Sequence, residues 1–259
     1  MTILAVTSVK GSPGVTTLSV ALSAAWPTGD DSPVLLVEAD PDGGVIGPRH
    51  HLRAEPSLAS YMADARRGFD PAIAAANSQE VVPGVRALIG PVDPAICERS
   101  LSWGASVLAD GLKARPHLPV VIDLGRLHPI SPAMPLAQAA DETLLVLRPS
   151  LEQAAIAVHR VSAFHDLGCR LSLLCVGVGP DDPGDVAHAL GLGLAGVIPE
   201  TPNAHDVLNG AFEGSRRATR SLLWQSIQAV SQGVAQRMGV AAPAAVSYTH
   251  LTLPTICSV

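Results

Sequence analysis

Lysine is almost missing from this chain: Lys10 and Lys113 stand against fifteen arginines, and 23 acids outnumber the 17 bases for a formal net charge of −6. Without a basic surplus there is no general field to draw the protein onto DNA or anionic lipid, so non-specific nucleic-acid binding is not expected. Arg216, Arg217 and Arg220 read as a solvated face. Cysteine is scarce as well. Cys97, Cys169 and Cys175 fit no zinc or disulfide spacing, which predicts reduced thiols in or near the core. No apolar stretch approaches the roughly 18 to 20 residues that span a bilayer, so no transmembrane segment is expected. Met1 to Val6 carries no charged leader before the first apolar run, and the expectation is a soluble, cytoplasmic protein. The histidines include no H-E-x-x-H spacing, and no G-x-S-x-G elbow surrounds Ser12 or Ser19, which argues against zinc-protease and serine-hydrolase chemistry.

What the chain does have is 47% hydrophobic residues with only 15% charged, enough to bury one substantial α/β core over 259 positions. Strands are expected at 2–7, 34–38, 85–89, 119–123, 142–147, 171–178 and 195–198. Helices are expected near 14–26, 56–67, 100–115, 152–167, 183–191, 203–210 and 219–238. That alternation predicts a mostly parallel sheet of about seven strands with helices on both faces, and ligands at the carboxyl ends of the strands. Residues 1–245 form this one domain. Residues 246–259, beginning Val246-Ser247-Tyr248-Thr249-His250, break with the Ala/Gly/Arg-rich character of the rest and resemble a translated sequencing adapter. They are read as a non-native tail, so that His250 and Cys257 carry no information.

The first expected strand runs into Val9-Lys10-Gly11-Ser12-Pro13-Gly14-Val15-Thr16-Thr17 and then a helix. A strand, glycine-containing loop and helix N-terminus together form a phosphate cradle, completed in a P-loop by a lysine and a Mg²⁺-binding hydroxyl. Gly14 and Thr16 are in place, but Val15 occupies the lysine position and cannot offset phosphate charge. The element resembles the variant loop K-G-G-x-G-K-T-T of the ParA/MinD family of P-loop ATPases. Lys10, Gly11, Gly14, Thr16 and Thr17 match that pattern, Pro13 stands at the variable place, and Ser12 and Val15 depart from it.

Four further elements carry the same resemblance, one of them the run from Ala140-Asp141 to Arg148-Pro149, which is similar to the family strand A-D-x-x-[IL]-[IL]-V-x-x-P. Glu38-Ala39-Asp40-Pro41-Asp42-Gly43-Gly44 is similar to the family's D-x-D-P-x-G switch, with Glu38 for the first aspartate. Val120-Val121-Ile122-Asp123-Leu124-Gly125 is similar to its Walker B and second switch. Leu194 to Pro199 resembles its last strand, whose proline borders the adenine pocket. The resemblance implies that ATP and Mg²⁺ are bound, with Thr16 and Asp123 at the metal, Asp40 near the γ-phosphate, Gly125 offering its N–H there, and Pro199 beside the base. It implies that Lys10 reaches a partner's phosphates across a nucleotide-sandwich homodimer. Read as residues alone, Asp40 equally fits an unliganded acidic turn, and Asp123 a cap on the segment that follows. The asparagine that reads the base in the family is replaced by Val176-Gly177-Val178-Gly179-Pro180, and Asn203 is the substitute nearby in sequence.

Three functions stay open on this basis: an ATP-controlled dimeric switch or positioning factor with weakened hydrolysis, a nucleotide-independent pseudo-ATPase scaffold, and an active partitioning ATPase relying on Lys10. The resemblance leaves a ParB-like protein and a pilus or secretion component open as partners, the latter because degenerate members of the TadZ/CpaE kind accompany pilus loci.

Overall fold

The run Ile3-Leu4-Ala5-Val6-Thr7-Ser8 is buried at every position because it lies mid-sheet, paired in parallel on both sides and covered on both faces. The computed structural model describes residues 2–10, 14–28, 33–65 and 68–240. Gly11, Ser12 and Pro13 and the tail 246–259 lie outside the described residues.

Along the chain the elements are β1 (Ile3–Ser8), α1 (Val15–Ala24), β2 (Val34–Glu38), α2 (Ile46–Arg49), α3 (Leu58–Asp64), α4 (Pro71–Asn77), β3 (Gln79–Val82), β4 (Val85–Leu88), α5 (Pro94–Lys113), β5 (Val120–Arg126), α6 (Met134–Ala139), β6 (Glu142–Leu147), α7 (Leu151–Asp166), β7 (Leu171–Val176), α8 (Pro183–Leu190), β8 (Gly193–Ile198), α9 (Ala204–Phe212), α10 (Arg216–Thr219) and α11 (Leu222–Arg237). The sheet order is β3-β4-β2-β5-β1-β6-β7-β8, and every pairing is parallel except β3 with β4. The described residues thus hold eight strands where about seven were expected. The addition is β3, an edge strand whose polar Gln79-Glu80 hides it from a hydrophobic pattern. It turns through Pro83-Gly84, with Gly84 at φ 78°, to pair with β4. The remaining α/β architecture, with helices on both faces, is as expected.

Strand alternation sorts side chains onto the two faces. Ile3, Ala5, Val120 and Ile122 join a core with α3, α5, α6, α7 and α8, whereas Leu4, Val6 and Val121 join one with α1, α9 and α11. The same parity places Glu38 of β2 and Asp123 of β5, which are direct neighbours in register, on the α1 side of the sheet. Three helices open on an Asp-Pro pair. Asp70, Asp93 and Asp182 each accept a backbone N–H of the first turn, with Pro at N1 where no donor is needed. This is why α5 starts at Pro94 rather than near 100, and why α4 exists at all. Cys97, Cys169 and Cys175 are buried free thiols, as expected. No helix among the described residues is long and apolar enough to cross a membrane.

Candidate functional site

Gly14 ends the loop after β1 in the left-handed region, at φ 87°, and precedes α1 with no side chain to cap the first turn. The N–H groups of a helix start without a cap are available to an anion. Val15 points elsewhere: it is 6% exposed and packs in the core with Leu18 and Leu22. Thr16 and Thr17 are half-buried on the same turn.

Asp123 lies against that turn. It is fully buried. Its Oδ1 accepts the N–H of Gly125 at 3.0 Å, while its Oδ2 has no hydrogen-bond partner among the described residues. Burial pushes its carboxyl from 3.8 up to about 7 and the neighbouring Glu38 adds to the rise, while the Thr16 hydroxyl, the Gly125 N–H and Arg49 pull it back. A buried carboxylate oxygen with no partner is expensive unless a cation or proton reaches it. Thr16 lies near enough to favour the charged form without making a hydrogen bond of ordinary geometry to Oδ2.

Asp40 closes the site from β2. Its Oδ1 accepts the N–H of Asp42 at 2.9 Å. A Cβ at Gly125 would fall 1.9 Å from Asp40 Oδ2, and Gly125 has φ 53°, so only glycine lets the two strand ends meet here. Burial raises the Asp40 carboxyl to about 6, opposed by the Asp42 N–H and assisted by the charges of Asp123 and Asp42. An ion pair from Arg126 to Asp42, at 2.6 Å, and the Cys97 thiol donating to the Asp40 carbonyl at 3.1 Å fix the turn from either side. The N–H of Gly125 is spent on Asp123 in this structure.

Glu38 serves the backbone. Its Oε1 accepts from Val45 (2.6 Å) and Ile46 (2.9 Å), and its Oε2 accepts from Gly90 (2.8 Å), so one carboxylate binds the start of α2 to the end of β4. Gly44 permits this, since a Cβ there would lie 2.2 Å from the Gly90 carbonyl oxygen. The glycines after Asp40 therefore serve contact with the β4 exit: Gly44 donates to the Pro91 carbonyl at 2.8 Å.

The other end of this sheet edge is less furnished with side chains. Gly177 donates to the Ile198 carbonyl at 2.9 Å, Val178 is 77% exposed, and a Cβ at Gly179 would fall 1.7 Å from the Pro149 carbonyl oxygen. Pro199 is half-buried, and Asn203 is exposed in the left-handed region before α9 with its side chain capping nothing. Lys10 is exposed beside a cavity of about 270 Å³ bordered by Val9, Leu147 and Gln153, toward α7. Thr16, Asp123, Asp40, Gly125 and Gly14 are thus brought together. Lys10 and Pro199 are not part of that cluster. Among the described residues no group of three or more His, Cys, Asp or Glu is arranged to hold a metal.

Sequence reasoning missed Arg49, His50 and His205, which border a cavity of about 370 Å³ with Thr16 and Thr17. Arg49 donates to Thr17 Oγ1 at 3.3 Å. Nothing local marks these residues, because they meet only when α2 and α9 fold onto α1.

No protein-family model matches the chain and no curated protein does. Solved structures match over nearly the whole of it. The septum site-determining protein MinD of Pyrococcus horikoshii, complexed with Mg-ADP, is 20% identical with a TM-score of 0.69, covering 92% of this chain and 98% of that one. A ParA-family ATPase of Chlorobium tepidum is 15% identical with a TM-score of 0.71, covering 89% and 97%. Cobyrinic acid a,c-diamide synthase of Mycobacterium smegmatis, with a bound ATP analogue and magnesium, is 19% identical with a TM-score of 0.58, covering 92% and 96%. The fold is therefore that of the ParA/MinD-type P-loop ATPases.

Proposed function

We propose that this chain is a nucleotide-controlled switch of the ParA/MinD type. It binds ATP with Mg²⁺, dimerises around the nucleotide, and uses the dimer to position or partition a cargo, with hydrolysis slowed by Val15. The observation that carries the reading is Asp123 Oδ2, buried without a partner against the first turn of α1. The Thr16 hydroxyl and the Asp123 carboxylate fit the hard-oxygen preference of Mg²⁺, which keeps its remaining positions for phosphate and water. When bound, the ion offsets phosphate charge. Gly14 and the N–H groups of Val15, Thr16 and Thr17 cradle the phosphates, and Asp40 holds a water at the terminal one. The loop residues Gly11, Ser12 and Pro13 complete the cradle in this reading. Loss of one fixed cation costs on the order of 3 kcal/mol of transition-state stabilisation, which predicts slow turnover unless Lys10 of the other protomer reaches the phosphates. Solved structures of MinD and of a ParA-family ATPase share the fold, which supports a positioning role and leaves a ParB-like or a pilus component as the partner class to test.

Val15 in the core and the absence of a base-reading side chain at residues 177–179 favour a second reading, a scaffold that dimerises or docks a partner without nucleotide. Equilibrium binding of ATP and ADP to the full chain, with and without Mg²⁺, separates the two. Micromolar, Mg²⁺-dependent binding weakened by Lys10→Ala and by Asp123→Ala supports the switch. A folded chain that binds nothing at millimolar ligand leaves the scaffold.

A further inference from the structure

A switch with valine in the lysine position needs its phosphate-side charge from elsewhere, and the chain carries one cation at the right turn. Arg49 ends α2 and donates to Thr17 Oγ1 on the first turn of α1, at 3.3 Å. Among the described residues it forms no ion pair with a carboxylate. The cavity of about 370 Å³ on which it borders has the hydrogen-bond donors Thr16, Thr17, His50, His205 and Asn209 on its wall beside apolar Val20, Ile46, Leu208 and Phe212, and no aspartate or glutamate lines it. That lining suits an anion. The same turn carries an independent sign of a ligand, the buried, unpartnered Oδ2 of Asp123.

The position of Arg49 is built in. Helix α2 is only four residues long and holds little stability of its own, but both N–H groups at its start, from Val45 and Ile46, bind Glu38 Oε1. Glutamate reaches one methylene further than the aspartate of the family pattern. Glu38 thus anchors the helix that carries Arg49, while Val15 supplies no cation on α1.

We infer that Arg49 is a phosphate-binding residue acting in cis, supplying from α2 the positive charge that Val15 withholds from α1, for the phosphate chain of a nucleotide. The inference rests on the nucleotide reading of this site. A guanidinium suits the task because it stays charged and presents a planar fork to two phosphate oxygens. Phosphate affinity then depends on where the segment after β2 stands, so that the switch element and the phosphate clamp are one piece.

The test uses the full chain, with Mg-ATP, pyrophosphate and adenosine as titrants and thermal melting as the check on folding. Arg49 is exposed, so its substitution leaves the core intact. Arg49→Ala is expected to lose about tenfold to a hundredfold in affinity for ATP and pyrophosphate and nothing for adenosine. Arg49→Lys is expected to lose less, and Val15→Lys added to Arg49→Ala to regain most of the loss. If Arg49→Ala binds ATP within about twofold of the parent while Thr16→Ala does not bind, the role of Arg49 is overturned and the nucleotide reading stands. If the folded parent binds neither ATP nor pyrophosphate at millimolar concentration, the nucleotide reading falls and the inference with it. Arg49-dependent binding of pyrophosphate without binding of ATP supports Arg49 as a phosphate residue and overturns the nucleotide as its source.

Discussion

The two ends of the sheet's carboxyl edge are built differently. Where β1, β2 and β5 finish, side chains do the work: buried Asp123 and Glu38 converge with half-buried Asp40 and Thr16, and the backbone is pared to glycine at 125 and 44 so that carboxylates can reach the site. Where β7 and β8 finish, the backbone does the work. Gly179 presses against the Pro149 carbonyl, Gly177 donates to the Ile198 carbonyl beside the Glu200 side chain, and Val178 between them faces solvent. Carboxylates in a low-dielectric setting can select a metal ion, and only through that ion a phosphate, whereas bare backbone discriminates little between bases. The chain is equipped to feel charge and poorly equipped to read a ring.

Several substitutions would break or sharpen that contrast. The largest effect is expected at Asp123. Its folded pKa, near 7, lies above the ordinary 3.8, so the stability it contributes is full below about pH 4 and is lost as pH rises through 7. At about 1.4 kcal/mol per pKa unit, Asp123→Asn should make the protein more stable than the parent at pH 8 by up to about 4 kcal/mol, with the two converging below pH 4. Urea titrations at both pH values measure this, and the same variant should lose the Mg²⁺ dependence of ATP binding. A parent as stable at pH 8 as the variant would mean that Asp123 is not the strained group described here.

Gly125→Ala comes next. A methyl group 1.9 Å from the Asp40 carboxylate, on a residue with φ 53°, should cost about 2 to 4 kcal/mol in denaturant unfolding and displace Asp40 from the site. A neutral result would mean that the two strand ends are not in contact. Val15→Lys alone should destabilise by about 1 to 3 kcal/mol, because the position is buried, while tightening ATP binding; calorimetry and a binding isotherm on the same sample read both. The smallest effect belongs to the base side. ATP and GTP should compete within about tenfold of one another, since no side chain at 177–179 is placed to hydrogen-bond a ring edge. A much larger preference would place base recognition at Asn203 or beyond.

How far the sequence could be read follows the same division. Strands β1, β2, β5 and β6 are legible because buried parallel strands are continuous apolar runs, and Asp123 and Asp40 stand out as acids placed directly after such runs. The start of α5 was legible too in Asp93-Pro94, a cap and a fixed φ, but the first apolar-periodic stretch downstream masks it. Edge strand β3 was hidden by its polar Gln79-Glu80, and helix α4 by its seven-residue length, although its Asp70-Pro71 start and alanines mark it locally. Arg49 was invisible for a different reason. Its meaning depends on α2 folding against the first turn of α1, where Arg49 meets Thr17, a contact distant in sequence that no spacing rule encodes.

The burial of Val15 has a further consequence, for how such a protein can change over time. The valine at the start of α1 belongs to the core that joins α1 to the sheet, which also holds Leu18, Leu22 and the β1 residues Leu4 and Val6. A lysine introduced there must unpack that contact before any phosphate repays it. With Arg49 as the inferred phosphate cation on α2, a lysine at position 15 adds little charge where it does most harm to packing. The core thus constrains the site, and variants of this chain are expected to tolerate change at position 49 better than a lysine at position 15.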